Sequence, residues 1–368
     1  MNINVAQRDL QDRLAFLAKG ISKTRPAVLV EAHADGHVDL TADHGDLFAR
    51  AAIEAAVVEP GRCLLPAASA PDIVATFPKE TLALRYTEAK AKIELRCGRI
   101  RSALTPPALA EDFPEIGWPS DAPAHTVPSE ALQKLIAAAG YATAHEDERV
   151  ELTGAQLKLE GNAIGLVTTD GLRLAVAQIT CPGLKAARSA SIVPGSFVRD
   201  LESILGEDQQ VSLWVTGQRV IARCGGLTLV ALPLSGTYPE YGAIVPRPTQ
   251  QTPALVCDRV TLTDALRAVA VIARENAQTV AVRWANGEVQ LAAKAAETGH
   301  ANGGLKGQTV GEIDALVNAR FFADAVAATH GERVRISILD PKRPIRVEPE
   351  PAPTDWQQVA VIMPILPK

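Results

Sequence analysis

No apolar run in the 368-residue chain approaches the roughly 20 residues that a membrane-spanning helix needs. The opening MNINVAQRDLQDRL is polar and alternating, unlike a secretory signal. A soluble, cytoplasmic protein with no membrane partner is therefore expected. Cysteine is scarce. Its five occurrences, Cys63, Cys97, Cys181, Cys224 and Cys257, lie far apart, with no C-x-x-C pair and no histidine at metal spacing beside them. That pattern fits small buried residues in a reducing compartment better than a disulfide framework. Low-complexity tracts are missing too, because the 26 Gly and 25 Pro are spread evenly. A dominant charge is also missing: 37 Lys+Arg against 42 Asp+Glu gives a net charge of −5, which by itself argues mildly against a nucleic-acid partner but leaves open how the charge is distributed.

Catalytic motifs are absent as well. The seven histidines lie in no H-E-x-x-H, and there is no G-x-S-x-G, Walker-type or G-x-G-x-x-G stretch. The expectation is a non-catalytic protein with no cofactor and no metal. One metal site can be sketched from His33, His37 and His44 with Asp35, Asp43 and Asp46 in a hairpin. The competing reading, ordinary turn and strand-face residues, is preferred. Cys97-Gly98 and Cys224-Gly225 are read as packing at strand ends rather than as reactive thiols.

What the sequence does contain is an internal repeat. Three segments open with apolar residues at spacings of three and four: Leu10, Leu14 and Leu17; Leu132, Leu135 and Ile136; Leu262, Leu266 and Val269. Such spacing puts each set on one helix face. Ser129 with Glu130, and Thr261 or Thr263 with Asp264, are the expected cap and first-turn residues. A second helical stretch follows in each unit, from Pro66, Pro194 and Asn318, at offsets of 128 and 124 residues. After it come paired alternating segments that read as hairpins, and Cys97 and Cys224 recur 127 apart. A period near 125 residues is a domain rather than a solenoid unit. Further alternating segments between the helices imply antiparallel sheet with one buried face. The fold class expected is α+β, three similar domains of two helices plus antiparallel sheets each, over 1–118, 119–247 and 248–368, with boundaries in the Pro-rich stretches after Phe113 and after Val245.

Asp170-Gly171 between alternating segments reads as a two-residue hairpin turn. Positive charge recurs on the helices and their ends, at Arg8, Arg13, Lys19, Lys23, Arg25, Lys134, Arg199, Arg259, Arg267, Arg274 and Arg320. Any one of these fits a solvated helix face. A repeated helical layer of outward cations also attracts phosphate backbones without reading sequence.

Three stretches carry a family resemblance: TTDGLRLAV at Thr168 to Val176, YPEYGAIVP at Tyr238 to Pro246, and VIMPILPK from Val361. KTRPAV around Arg25, AEDFPEI around Phe113 and AHEDERVELTG at Ala144 to Gly154 agree more weakly. By these residues, in order and spacing, the chain resembles the bacterial DNA polymerase III beta subunit, the beta sliding clamp family, over essentially its full length.

The resemblance implies a head-to-tail homodimeric ring of sliding-clamp domains that encircles duplex DNA. Its function would be that of a processivity factor, with helices lining the hole and sheets outside. The implied partners are duplex DNA, held topologically, together with the polymerase III alpha subunit, the clamp loader, other DNA polymerases and repair proteins. These proteins bind through Leu- and Phe-anchored peptides. Carried over by motif, the peptide pocket would be Leu152, Thr169, Gly171, Leu172, Arg173, Leu174, Pro239, Ile244, Val361, Met363, Pro364, Ile365 and Leu366. The DNA-facing residues would be Arg25, His145, Glu146, Arg199 and Arg267, and the location cytoplasmic and nucleoid-associated. Leu172 stands where the family commonly has histidine, Glu146 where a neutral amide is expected, and KAAETGHANGGLKG at Lys294 to Gly307 lacks an acidic run that some clamps carry near the dimer interface. These departures favour, as the alternative, a clamp-fold paralogue acting as a peptide-binding interaction or resistance protein.

Overall fold

The computed structural model describes residues 1–117 and 125–366; the expected boundary at 118/119 and the last two residues of the tail lie outside them. The described residues contain six α-helices: α1 (Gln7–Ala18), α2 (Ala70–Ala75), α3 (Ser129–Ala139), α4 (Gly195–Ile204), α5 (Arg259–Ala273) and α6 (Ala319–Ala328). They fall two to each sequence repeat. The residues whose spacing predicts the opening helices form their buried stripes: Leu10, Leu14, Leu17, Leu262, Leu266 and Val269 are fully buried, and Leu132, Leu135 and Ile136 nearly so. No helix among the described residues is long and apolar enough to cross a membrane.

The expected caps are corrected. At α5 the capping side chain is Asp258, whose Oδ1 accepts from the Thr261 backbone N–H at 2.7 Å and from its hydroxyl at 2.6 Å. The helix begins earlier than the apolar stripe implies, so Thr261 and Thr263 lie inside its first turns. Ser129 is buried, and its hydroxyl has no partner among the described residues. It opens α3 without capping it. Asn318 does cap α6, accepting from the N–H groups of Arg320 and Phe321 at 3.1 Å each.

Two compact units organise the chain, Met1–Ser129 with Ser203–Pro233, and Glu130–Glu202 with Leu234–Lys368. The second sequence repeat thus contributes strands to each.

The first unit is built on one antiparallel sheet of twelve strands. Its longest strand, Leu47–Glu59, pairs with Asn2–Ala6 near one end, with His37–Asp43 in the middle, and with Leu227–Ala231 at the other. Leu47, Ala49, Ala51 and Ile53 are buried while Arg50 and Glu54 take the other face, the period of two that a half-buried strand requires. Ile100–Leu104 is an outer strand of this sheet, paired on one side only.

The second unit holds a nine-stranded and a four-stranded antiparallel sheet. In the former, Arg173–Thr180 pairs with Ala163–Thr169 on one side and with Trp356–Ile362 on the other. In the latter, Gly299–Lys306 forms an edge beside Glu288–Ala295. Helices α5 and α6 pack on a core that includes Trp284, Phe322, Ile336 and Ile362.

Candidate functional site

The connection between Ala163–Thr169 and Arg173–Thr180 comprises Asp170, Gly171 and Leu172, one residue longer than the two-residue turn expected from Asp-Gly. Asp170 organises it. Its Oδ1 accepts from the N–H groups of Leu172 and Arg173 at 3.0 and 2.9 Å, and Thr169 Oγ1 donates to the Arg173 carbonyl at 2.6 Å. Gly171 has φ +84°, a left-handed conformation that favours glycine there.

This turn forms one wall of a cavity of about 340 Å³. Ten of the thirteen residues carried over from the family motif line it: Leu152, Thr169, Gly171, Leu172, Arg173, Leu174, Pro239, Ile244, Val361 and Met363. Sheet register accounts for the convergence, since Leu174 lies opposite Val361, and Met363 N–H continues the ladder to the Leu172 carbonyl at 2.9 Å. Beneath lies a cluster of Val167, Leu174, Ile192, Tyr238 and Val361. At the rim Leu172 and Met363 are 57% and 40% exposed.

Three expected residues do not line the cavity. Pro364, Ile365 and Leu366 follow the chain away from it, because Ile365 N–H bonds the Leu316 carbonyl at 2.8 Å beside α6. Three lining residues were not foreseen: Arg149, Tyr241 and Pro344. Tyr241 and Arg149 lie inside quoted motifs, but only the folded arrangement shows that they face the cavity. Pro344 sits in a turn with no sequence signal for it.

Arg173 is the buried charge of the site. Its Nε donates to Asp170 Oδ2 at 2.9 Å and its Nη1 to Asp324 Oδ2 at 2.6 Å, and the side chain is 6% exposed. The guanidinium lies 4.6 Å from the Phe321 ring centroid and 5.6 Å from that of Tyr141, within cation–π range. A buried arginine is tolerable only when carboxylates satisfy it, and two do. Burial also pushes the Tyr141 and Tyr238 phenols well above their ordinary range, so both stay neutral.

The residues expected to face DNA are dispersed. In the second unit His145 and Glu146 are exposed in the loop before Val150, Arg199 is exposed on α4, and Arg267 is exposed on α5 with Asp264 at 3.4 Å. In the first unit Arg25 lies in the loop after α1, half exposed, and its guanidinium bonds the carboxylate of Asp43, which is 3% exposed. The sketched metal residues separate. His44 Nε2 bonds the Leu17 carbonyl at 2.9 Å and Asp43 holds Arg25, whereas His33, His37 and Asp35 stay together and are joined by Asp39. Cys97 and Cys224 are both buried, each followed by a glycine of positive φ, with Sγ facing Glu80 and Gln209 respectively, as packing at equivalent strand ends requires.

The family models for the DNA polymerase III beta subunit match in two places: the central domain over residues 126–240 and the C-terminal domain over 246–366. The chain belongs to the DNA polymerase III beta subunit family. Among curated relatives it is 26% identical to the beta sliding clamp of Synechococcus elongatus over 364 residues, covering 95% of this chain and 96% of that one. It is 27% identical to the beta sliding clamp of Pseudomonas aeruginosa over 297 residues, 80% of each. Its fold is that of solved sliding clamps, with a TM-score of 0.90 to the P. aeruginosa beta subunit at 24% identity, covering 99% of this chain and all of that one. The Bacillus subtilis clamp gives 0.91 at 19% identity, with both chains fully covered. A P. aeruginosa clamp solved bound to griselimycin, 23% identical with both chains fully covered, gives 0.89. The α+β sliding-clamp fold expected from the sequence is thus the fold observed.

Proposed function

We propose that the chain is a DNA sliding clamp: a processivity subunit, with no catalysis of its own, that encircles duplex DNA and tethers the replicative polymerase and repair proteins. The observation that carries this reading is the cavity at Leu174 and Val361. Segments from five separate parts of a beta-subunit-family chain converge there on an apolar hollow with exposed Leu172 and Met363 at its mouth. Such a hollow suits anchor-and-pocket recognition, in which a few buried side chains supply most of the affinity. Peptides with Leu and Phe anchors, from the polymerase III alpha subunit, the clamp loader, other polymerases and repair proteins, are the proposed occupants. The curated relatives carry the name beta sliding clamp over nearly the same length. The three sequence repeats are read as clamp domains over 1–118, 119–247 and 248–368, and the protein as cytoplasmic and nucleoid-associated.

Ring closure through a head-to-tail homodimer is part of the proposal. It draws on two strands with an unpaired side, Ile100–Leu104 and Gly299–Lys306. Open strand edges of this kind pair with another chain unless something covers them. The glycine-rich GHANGGLK of the second edge offers little side-chain contact and favours the other reading, a paralogue that binds peptides without closing a ring. Sedimentation equilibrium at micromolar protein separates the two. A dimer that also binds a fluorescent Leu/Phe-anchored peptide is expected, and a monomer that still binds the peptide would favour the paralogue.

A further inference from the structure

In the first unit, the hairpin linking Ala27–Ala32 to His37–Asp43 carries a side-chain group that neither the cavity nor the basic helices use. The His33 N–H donates to the His37 carbonyl at 3.0 Å, and Gly36 makes the turn with φ +99°. Strand alternation puts His33, His37 and Asp39 on one face, with Glu31 opposite Asp39 and Glu54 opposite His37. The other face, with Val38, Leu40 and Ala42, is core.

Asp39 Oδ2 lies 3.1 Å from His33 Nε2 and 3.6 Å from His37 Nε2, and the two rings stack with centroids 4.2 Å apart at 20°. All three candidate ligand atoms fall within 4.8 Å of one another. Asp35 Oδ1 is 2.6 Å from His37 Nδ1, so that nitrogen carries the donated hydrogen and Nε2 keeps its lone pair toward Asp39. Two imidazole nitrogens and a buried carboxylate oxygen thus lie within reach of one ion, which would replace the His33–Asp39 hydrogen bond at that oxygen. Four ligands bonded at about 2.0–2.2 Å to one ion stand roughly 3.3–3.6 Å apart, so the 3.6 Å spacing fits and the 3.1 Å spacing has to open by a few tenths of an ångström. A carboxylate on the far ring nitrogen is the usual outer partner of a metal-bound histidine.

We propose that His33, His37 and Asp39 bind a divalent transition-metal ion of the zinc class, with Asp35 orienting His37 and solvent completing the coordination. The stacked rings part slightly to aim both Nε2 lone pairs at the ion. Arg50 contacts the same Asp39 oxygen, and Glu31 is near enough to offer its guanidinium a second carboxylate when the ion takes that oxygen. The five cysteines are all buried, so they do not compete as ligands in the folded chain.

The test uses the full chain without an affinity tag, treated with chelator and titrated with cobalt(II) chloride, then with zinc chloride as competitor. One cobalt per chain is expected, with visible d–d absorption that zinc abolishes. His33→Gln and His37→Gln, at side chains 41% and 40% exposed, are each expected to abolish the absorption while thermal melting stays native. Asp35→Asn, at the exposed turn, is expected to weaken binding about tenfold. The proposal is overturned if no ion binds, if the ion stays bound in a natively melting His37→Gln chain, or if Asp35→Asn binds cobalt unchanged.

Discussion

The Arg173 guanidinium donates through Nη1 to Asp324 Oδ2 at 2.6 Å, joining side chains 151 positions apart. This bond ties the turn at the cavity mouth to α6. Removing the carboxylate leaves a nearly buried cation with only Asp170 as acceptor. Asp324→Asn is expected to destabilise the chain by about 1–3 kcal/mol. A double-mutant cycle with Arg173→Met, followed by denaturant unfolding, is expected to give a coupling energy of about 1 kcal/mol or more. Additive losses would mean that the pair is independent.

Charged substitutions at the cavity mouth separate binding from folding. Met363→Glu and Leu172→Glu, at exposed positions, are expected to weaken a Leu/Phe-anchored peptide by about 2 kcal/mol, roughly thirtyfold, with melting unchanged. A charge at Leu174, which is 5% exposed, is expected to disrupt the fold instead. Peptide affinity unchanged by both rim substitutions would place the binding surface elsewhere.

Much of this arrangement was legible in the sequence, for identifiable reasons. Leu10, Leu14 and Leu17, and Leu262, Leu266 and Val269, announce their helices because a core-facing stripe has a fixed period. The cavity's Thr169 to Leu174 and Val361 to Met363 were legible through family motifs. Arg149, Tyr241 and Pro344 were not, since a neighbour across a pocket leaves no periodic trace. Ile365 was misplaced because its hydrogen bond to Leu316 depends on a tertiary neighbour. The Asp258 cap was missed because the helix starts before its apolar stripe. Asp39 beside His33 and His37 is not legible in the sequence, because the strand reads as alternating and alternation does not reveal which polar residues on one face come together.

The basic residues divide by their partners. Arg199 and Arg267 are exposed, so Arg199→Ala and Arg267→Ala are each expected to reduce the slope of log affinity against log salt by about 0.9 in a duplex-binding titration, without altering stability. Arg25→Ala is different. It leaves the buried Asp43 carboxylate without its counter-charge, held by the Gly45 N–H at 2.8 Å, and is expected to cost about 1–3 kcal/mol of stability as well. Unchanged salt slopes for Arg199→Ala and Arg267→Ala would remove those positions from the DNA-facing surface.

Burial pushes the Cys63 and Cys257 thiols up to about 12, with the Asp258 charge adding to the effect at Cys257. In the unfolded chain a thiol titrates near ~8.5. Their neutral burial therefore supports the fold fully below that pH, and the support is lost between about 8.5 and 12 as unfolded thiols ionise and folded ones do not. Iodoacetamide at pH 8 is expected to leave both unlabelled in the native protein and to label both in denaturant, read by mass spectrometry. Fast native labelling at either position would contradict its placement.

A ring that encircles DNA holds it topologically, so retention on a circle is decisive. The chain is loaded by its cognate clamp loader and ATP onto nicked circular duplex, isolated by gel filtration at a salt concentration that removes surface-bound protein, and the circle is then cut once. Stable retention on the circle and release on linearisation are expected, because a closed ring slides off an end without breaking a contact. Equal retention on circular and linear DNA would contradict encirclement and mark ordinary surface binding.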